Sequence, residues 1–262
     1  MKYSMMTYTL MRQKGYTPAD CIQWAKDLGM EGIDWVTTYG EDPALLRKMS
    51  EDAGLVVAAH TFFIRKDDIP RVESVAARSL DDACKLGAPV VMVVPMPMGF
   101  TEPEKNRLVW TDLLKRIAPL AQERNLVLTV ENFPGSASPF VTAADFYEVK
   151  KVVPSLKLTF DNGNAFTGED PIESLKRCAA DIAHVHLKDW LRSETALGGY
   201  RQMTDGFYYK PALIGEGVVD SRATVKALEE VGYDGFVNIE YEGDDVPAHE
   251  GVRRVLEYLR GM

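Results

Sequence analysis

The sequence predicts an α/β barrel of the closed (β/α)8 kind, folded as a single domain over residues 1–262. Three observations carry that prediction. Helical stretches that stop at Gly or Asn recur along the chain, each followed within one to three residues by a short run of β-formers. Those runs are nearly continuous in apolar residues rather than alternating, the pattern of strands buried on both faces of a parallel sheet. The length, 262 residues, suits one eight-fold barrel, which takes about 250. Alternating strands and helices give a parallel sheet, and closing it protects both edges. The rival is an open doubly wound sheet, but no G-x-G-x-x-G opens the first strand-helix turn.

The elements follow in order. KYSMMTYTL (2–10) reads as the first strand. Thr17, Pro18 and Asp20 supply an N-cap, a first-turn proline and a near-capping box for a helix over 17–28, which stops at Gly29 before the strand GIDWV (32–36). A helix over 42–53 stops at Gly54 before LVVAAH. Val72, Val75, Ala76, Ser79, Leu80, Ala83 and Leu86 form the apolar stripe of a helix over 70–86, and Gly87 ends it before PVVMVVP. A helix over 103–124 carries Val109, Leu113, Ile117 and Leu120 and ends at Asn125 before LVLTVE; Pro119 is expected to kink it, because proline lacks a donor and crowds the preceding turn. Helices over 142–152, 170–180 and 220–231 lead to LKLTFD, IAHVHLKD and GFVNIEY, and a last helix covers 248–260. One connection is long. About thirty residues separate His186 from the helix at Asp220, with FYYK (207–210), Arg192, Arg201 and Lys210 among them, and they read as a lid over the substrate or a subunit contact. PMPMGFTE (95–102) reads either as a second wall of the same mouth or as plain packing by its methionines and Phe100.

Composition excludes several classes. A formal net charge of -9 gives no basic footprint for nucleic acid. No window approaches the ~18 unbroken apolar residues of a membrane span, and the first residues lack a signal-peptide core and cleavage site, so a cytoplasmic protein is expected. Cys21, Cys84 and Cys178 have no CxxC spacing and read as buried small hydrophobes, not a thiolate metal site. The exposed aromatic loop points to a homo-oligomer, a dimer or tetramer.

Function is sought at the carboxyl ends of the strands, where such barrels place their active sites. The fifth strand ends at Glu131, the sixth at Asp161, the seventh at His186 and the eighth at Glu240. Neighbouring parallel strands bring the four together. Three anionic oxygens and one nitrogen suit one hard or borderline divalent ion, Mn²⁺, Mg²⁺ or Co²⁺, with Zn²⁺ a further candidate. Such an ion would stabilise the enediolate formed when a carbon beside a carbonyl loses a proton, and Glu131 and Glu240, on opposite sides, would move that proton. His184 lies one pleat deeper than His186 and reads as a core histidine with its hydrogen bonds satisfied. Lys188 either polarises a substrate oxygen or pairs with Asp189 or Glu216. Glu216 either binds a substrate hydroxyl or fixes its loop. Trp190 is placed to stack on a sugar face. His249 reads as surface.

TVEN (129–132), LTFDNGN (158–164), AHVHLKD (183–189), GEGVVD (215–220) and GYDGFVNIEYEG (232–243) together resemble the xylose-isomerase-like TIM-barrel superfamily of sugar isomerases and epimerases, and the resemblance runs over essentially the whole chain. Within it the chain is similar to hydroxypyruvate isomerase, ketose 3-epimerases and inosose dehydratase. The resemblance implies that Glu131, Asp161, His186 and Glu240 ligate one divalent ion, that Glu131 and Glu240 are the acid/base pair, and that His60 faces the substrate. Where many members carry D-x-x-H after the sixth strand, this chain has Asn164, which can hydrogen-bond a substrate hydroxyl but cannot titrate. The implied activity is metal-dependent isomerisation or epimerisation of a small sugar or polyol. The alternative is dehydration of a keto-sugar or inosose on the same site, and the remaining reading is a sugar-binding barrel without catalysis.

Overall fold

The strands and helices form because each buries one apolar face against its neighbour in a two-layer barrel. The structure, a computed structural model, describes residues 1–261. In chain order the elements are β1 (Lys2–Met6), α1 (Thr7–Met11), α2 (Pro18–Asp27), β2 (Gly32–Val36), α3 (Pro43–Asp52), β3 (Val56–Phe63), α4 (Val72–Leu86), β4 (Val90–Val94), α5 (Pro103–Glu123), β5 (Val127–Glu131), α6 (Ala143–Lys150), β6 (Lys157–Asp161), α7 (Asn162–Phe166), α8 (Pro171–Cys178), β7 (Ile182–Leu187), β8 (Asp189–Ser193), β9 (Arg201–Gln202), β10 (Tyr208–Ala212), α9 (Ser221–Glu230), β11 (Phe236–Ile239) and α10 (Ala248–Arg260). Eight of the strands close a barrel in the order β1-β11-β7-β6-β5-β4-β3-β2, with parallel pairing throughout. The TIM-barrel expectation holds.

Local chemistry sets the boundaries. Thr17 and Asp20 make the reciprocal capping box that starts α2. Gly87, at φ 74°, ends α4 in the left-handed conformation that glycine adopts without strain. α5 continues through Pro119. Its Trp110 is fully buried and donates to the Met96 carbonyl at 2.7 Å, tying the helix to the segment after β4. Asn106 of the same helix holds that segment's turn by accepting from Met98 N at 2.8 Å.

Three expectations need correction. The first strand ends at Met6 rather than running to residue 10, and α1 follows it directly. Thr7 explains the turn: its hydroxyl donates to the Asp34 carbonyl and accepts from Val36 N, both at 2.9 Å. Cys84 is exposed, because α4 buries the face carrying Ala76, Leu80 and Ala83; Cys21 and Cys178 are buried as expected. His249 is packed rather than free, stacking on Trp24 at 4.1 Å between ring centroids. Among the described residues no helix is long and apolar enough to cross a membrane.

The long connection after β7 is itself folded. β8, β10 and β9 form a three-stranded antiparallel sheet. Beneath it Trp190, Met203, Tyr209 and Val219 form a small core of their own. Asp189 anchors the sheet to the barrel, since its carboxylate accepts from the backbone N–H groups of Trp190, Gly215, Gly217 and Val219 at 2.8–3.0 Å. A Cβ at position 217 would collide with that carboxylate, so glycine is required there by space rather than by backbone angle. Replacing Asp189 by Asn puts a donor where these donors converge. Asp189→Asn is expected to lower unfolding free energy by about 3 kcal/mol and to speed tryptic cleavage at Arg192 and Arg201; an unchanged urea midpoint and cleavage rate would show that the loop does not hang on this carboxylate.

Candidate active site

Strand register assembles the four residues singled out above. Glu131 and Asp161 are the last residues of β5 and β6, and Asp161 lies beside His186 of β7 in the parallel register. Glu240 follows β11 directly, and its N–H donates to the Leu187 carbonyl at 3.0 Å. One ligand atom from each of the four falls within 4.8 Å of every other, and no residue of the set is more than 4% exposed. His186 Nδ1 is the hub. It hydrogen-bonds Glu131 Oε1 at 2.7 Å and lies 3.1 Å from Glu240 Oε2.

Neighbouring polar groups hold the set in place. Asn132 brackets the Asp161 backbone, accepting from its N–H at 2.9 Å and donating to its carbonyl at 2.7 Å. Asp161 Oδ1 caps α7 by accepting from Asn164 N at 2.7 Å, which leaves Oδ2 free to face the cluster. Lys188 Nζ donates to Glu240 Oε1 at 2.6 Å and lies 3.3 Å from Glu242. A Cβ at Gly163 would stand 2.8 Å from the Lys188 carbonyl, so glycine lets α7 pack tightly against this strand end.

Magnitudes decide what this arrangement needs. Two unit charges about 4–5 Å apart repel by roughly 4 kcal/mol even at an effective dielectric of 20. Three ionised carboxylates at such spacing would therefore consume much of a domain's net stability of about 5–15 kcal/mol. Protons or a cation must fill the gap. Burial pushes the Glu131 carboxyl up and the Asp161 carboxyl well up, with His186 and Lys188 only partly opposing it. Burial also disfavours charge on Glu240, but Lys188 and His186 outweigh it and hold this carboxyl below its ordinary range. His186 is desolvated too, yet the carboxylates of Asp34, Glu131 and Glu240 around its ring raise it well above the ordinary imidazole value. Asp161 Oδ2 and Glu240 Oε2 are buried with no hydrogen-bond partner among the described residues. Three carboxylates and one imidazole nitrogen, with two of the oxygens unpartnered, fit a divalent ion of oxygen preference.

A cavity of about 240 Å³ opens above the cluster. Its wall includes Glu131, Glu240, Glu242 and Lys188 together with the apolar side chains of Met6, Met92, Val94 and Phe133. Met96 lines it as well, so the segment after β4 does wall the mouth, while Phe100 points to solvent. The long connection contributes Arg201.

The remaining expected residues divide. Lys188 faces the cavity and pairs with Glu240 and Glu242 rather than with Asp189 or Glu216. Asn164 is fully buried next to the cluster, with both amide atoms lacking a partner, and it is not part of the cavity wall. Three more lie off the cavity wall. His60 does not line the cavity: Thr61 and Phe63 do, and the pleat turns His60 the other way, with its ring bonded to the Trp35 carbonyl at 2.9 Å. Glu216 is exposed and away from the cavity wall. Trp190 is fully buried under the loop sheet, with Lys188 and Arg201 against its ring, so it offers no free face to a sugar. His184 is a satisfied core histidine as expected, donating to Asp34 Oδ2 at 3.0 Å. Asp34 and Arg201 are what sequence reading missed as site residues. For Asp34 the signal was a lone acid in the middle of the buried run GIDWV; for Arg201 there was none beyond its place in a long basic loop.

Comparison with known proteins agrees with this architecture. A family model described as xylose isomerase-like TIM barrel matches residues 22–262. An inosose dehydratase of Geobacillus thermodenitrificans is 26% identical over 92% of this chain and 88% of its own length. One from Bacillus cereus is 27% identical over 92% and 88%. Among solved structures, the IolI protein with a bound zinc atom superposes with a TM-score of 0.79 at 16% identity, over 98% of this chain and 96% of that one. The D-psicose 3-epimerase of Clostridium cellulolyticum gives 0.77 at 13%, over 100% and 99%. At these identities the solved structures speak for the fold.

The electrostatics set a pH dependence. Glu131, Asp161 and His186 all have folded values above their ordinary ones, so the stability they contribute is full at acid pH and is lost as pH rises through those raised values. Glu240 has a lowered value, and its contribution persists over the same range. Metal-free protein should thus lose Tm from about pH 5 upward, and Mn²⁺ should restore it while releasing protons. Calorimetry in buffers of different ionisation enthalpy measures the release. A Tm indifferent to both pH and Mn²⁺ would contradict the reading of this cluster as a cation site.

Proposed function

The chain belongs to the xylose isomerase-like TIM barrel family, and on that premise we propose that it is a divalent-metal-dependent dehydratase of a small keto-polyol of the inosose class. The single observation that carries the chemistry is the pair of glutamates, Glu131 and Glu240, on either side of His186 Nδ1 and both lining the cavity. Burial raises one and Lys188 holds the other down, which is the asymmetry an acid/base pair requires. Glu131, Asp161, His186 and Glu240 would hold the ion, which supplies electrostatic stabilisation of negative charge on the substrate's carbonyl oxygen.

The chain's own groups then have distinct tasks. Glu240, kept ionised by Lys188, takes the proton from the carbon beside the carbonyl. Electrons of that C–H bond become a C=C bond as the neighbouring C–O bond breaks, and Glu131 delivers the proton with which the hydroxyl leaves as water. Lys188 stays an ammonium because its pKa is raised despite burial, so it donates a hydrogen bond and does not act as base. Met6, Met92 and Phe133 shield the reacting face from water.

The isomerase or epimerase expected from sequence gives way to elimination for one reason. The relatives that align over most of both chains are described as inosose dehydratases, whereas the epimerase neighbour shares only the fold at 13% identity. The first proton abstraction is common to all three reactions, which is why the residues alone did not separate them.

With Mn²⁺ and an inosose, the protein is expected to give a product lighter by one water in mass spectrometry. Glu131→Gln and Glu240→Gln should each lower kcat by about 10²–10⁴-fold. A product of unchanged mass would assign the chain to epimerisation or isomerisation instead.

A further inference from the structure

Below the four-residue cluster the barrel interior holds a second polar layer, and one of its members reaches the hub of the site. Asp34, fully buried in the middle of β2, receives Nε2–H of His184 at 3.0 Å and Nδ2–H of Asn238 at 2.6 Å, both on Oδ2. Ser4 completes the layer by donating to Asn238 Oδ1. Asp34 Oδ1 has no partner. Directly above, His186 Nε2 is equally buried and unpartnered, 3.7 Å from Asp34 Oδ2. The imidazole thus points Nδ1 at Glu131 and Glu240 and Nε2 at Asp34.

The chemistry of imidazole makes these two directions dependent. A neutral ring carries one N–H, and a ring that offers the Nδ1 lone pair to a cation must carry its proton on Nε2. That proton is buried, and Asp34 is the carboxylate it faces. We propose that Asp34 is the positioning residue of His186, accepting Nε2–H when Nδ1 is committed to a divalent ion and so fixing both the tautomer and the tilt of the ring. The inference rests on the metal reading above and adds to it a residue from a strand that contributes no ligand. Orienting partners of this kind typically affect metal affinity by about 10–100-fold. His184 and Asn238 in turn hold the carboxylate still, so the layer transmits the geometry of β2 and β11 to the seventh strand.

A purely structural role for the same layer is the competing account, and two substitutions separate them. Asp34→Asn removes the anionic acceptor while keeping the size. His184→Gln disturbs the layer but leaves Asp34 facing His186. In calorimetric titration with Mn²⁺, Asp34→Asn is expected to weaken binding by about 10–100-fold and His184→Gln by less than about threefold, although both lower Tm. The unaltered protein gives a reading that needs no variant: loaded with Zn²⁺ and enriched in ¹⁵N at histidine, it should show a strongly downfield Nε2–H proton on His186. Equal weakening by the two substitutions, undiminished binding by Asp34→Asn, or absence of that proton would overturn the assignment. So would two Mn²⁺ per chain with one lost in Asp34→Asn, because Asp34, His184 and His186 would then form a cation site of their own. Failure of the unaltered protein to bind any divalent ion would remove the metal reading itself, and the assignment with it.

Discussion

Three carboxyl groups and an imidazole share one buried spot at the mouth of this barrel, and their mutual repulsion is the constraint that the surrounding structure answers. Asp161 and His186 are fully buried, so the compensation has to come from protons, from fixed groups or from a bound cation. Lys188 supplies one positive charge, but only on the Glu240 side. Asn132 and the cap of α7 fix where Asp161 can sit, and they do so through the backbone and Oδ1, leaving the second oxygen uncommitted. A site optimised for the stability of the empty chain would have paired these oxygens. Leaving buried oxygens without partners costs stability, and it keeps them available as ligand atoms.

The polar interior extends this logic downward. Thr129 and Thr159 hydroxyls bond each other at 2.8 Å across β5 and β6, and the Ser4, Asn238, Asp34 and His184 layer crosses from β1 and β11 to β2 and β7. Aliphatic side chains filling these layers would pack more simply. Hydrogen-bonded layers instead set ring and carboxylate orientations, because a hydrogen bond has a direction and a methyl contact does not. The mouth is finished from outside the barrel, by a loop sheet whose attachment depends on Asp189 and which delivers Arg201 to the cavity. Arg201 is the one lining side chain that comes from that sheet, and its ring contact with Trp190 places its charge at the rim.

Much of this was legible in the chain. Five of the eight barrel strands, those ending in Val36, Phe63, Val94, Glu131 and Ile239, were each marked by an apolar run behind a Gly or Asn that stops a helix, because burial on both faces and a left-handed helix end both constrain residue type; the other three were marked by the apolar run alone. Glu131, Asp161, His186 and Glu240 stood out because an acid or histidine at a strand end is a change of chemistry at a fixed place in the repeat. His60 looked equivalent and is not. A shift of register between β2 and β3 changes which residues of β3 face inward, and nothing in LVVAAH announces it.

Identity and order of residues by themselves determined the barrel, the four clustered side chains and the kind of ion they suit, since periodicity, capping and ligand chemistry are local properties. Tertiary structure alone decided which nitrogen of His186 faces the acids and which faces Asp34, that Lys188 neutralises Glu240, that Trp190 is buried, and that Glu216 stands outside. Those outcomes depend on pleat, register and the path of a thirty-residue connection, which are set by contacts between residues far apart in the chain, 234 positions in the Ser4 to Asn238 hydrogen bond, and so have no local signature.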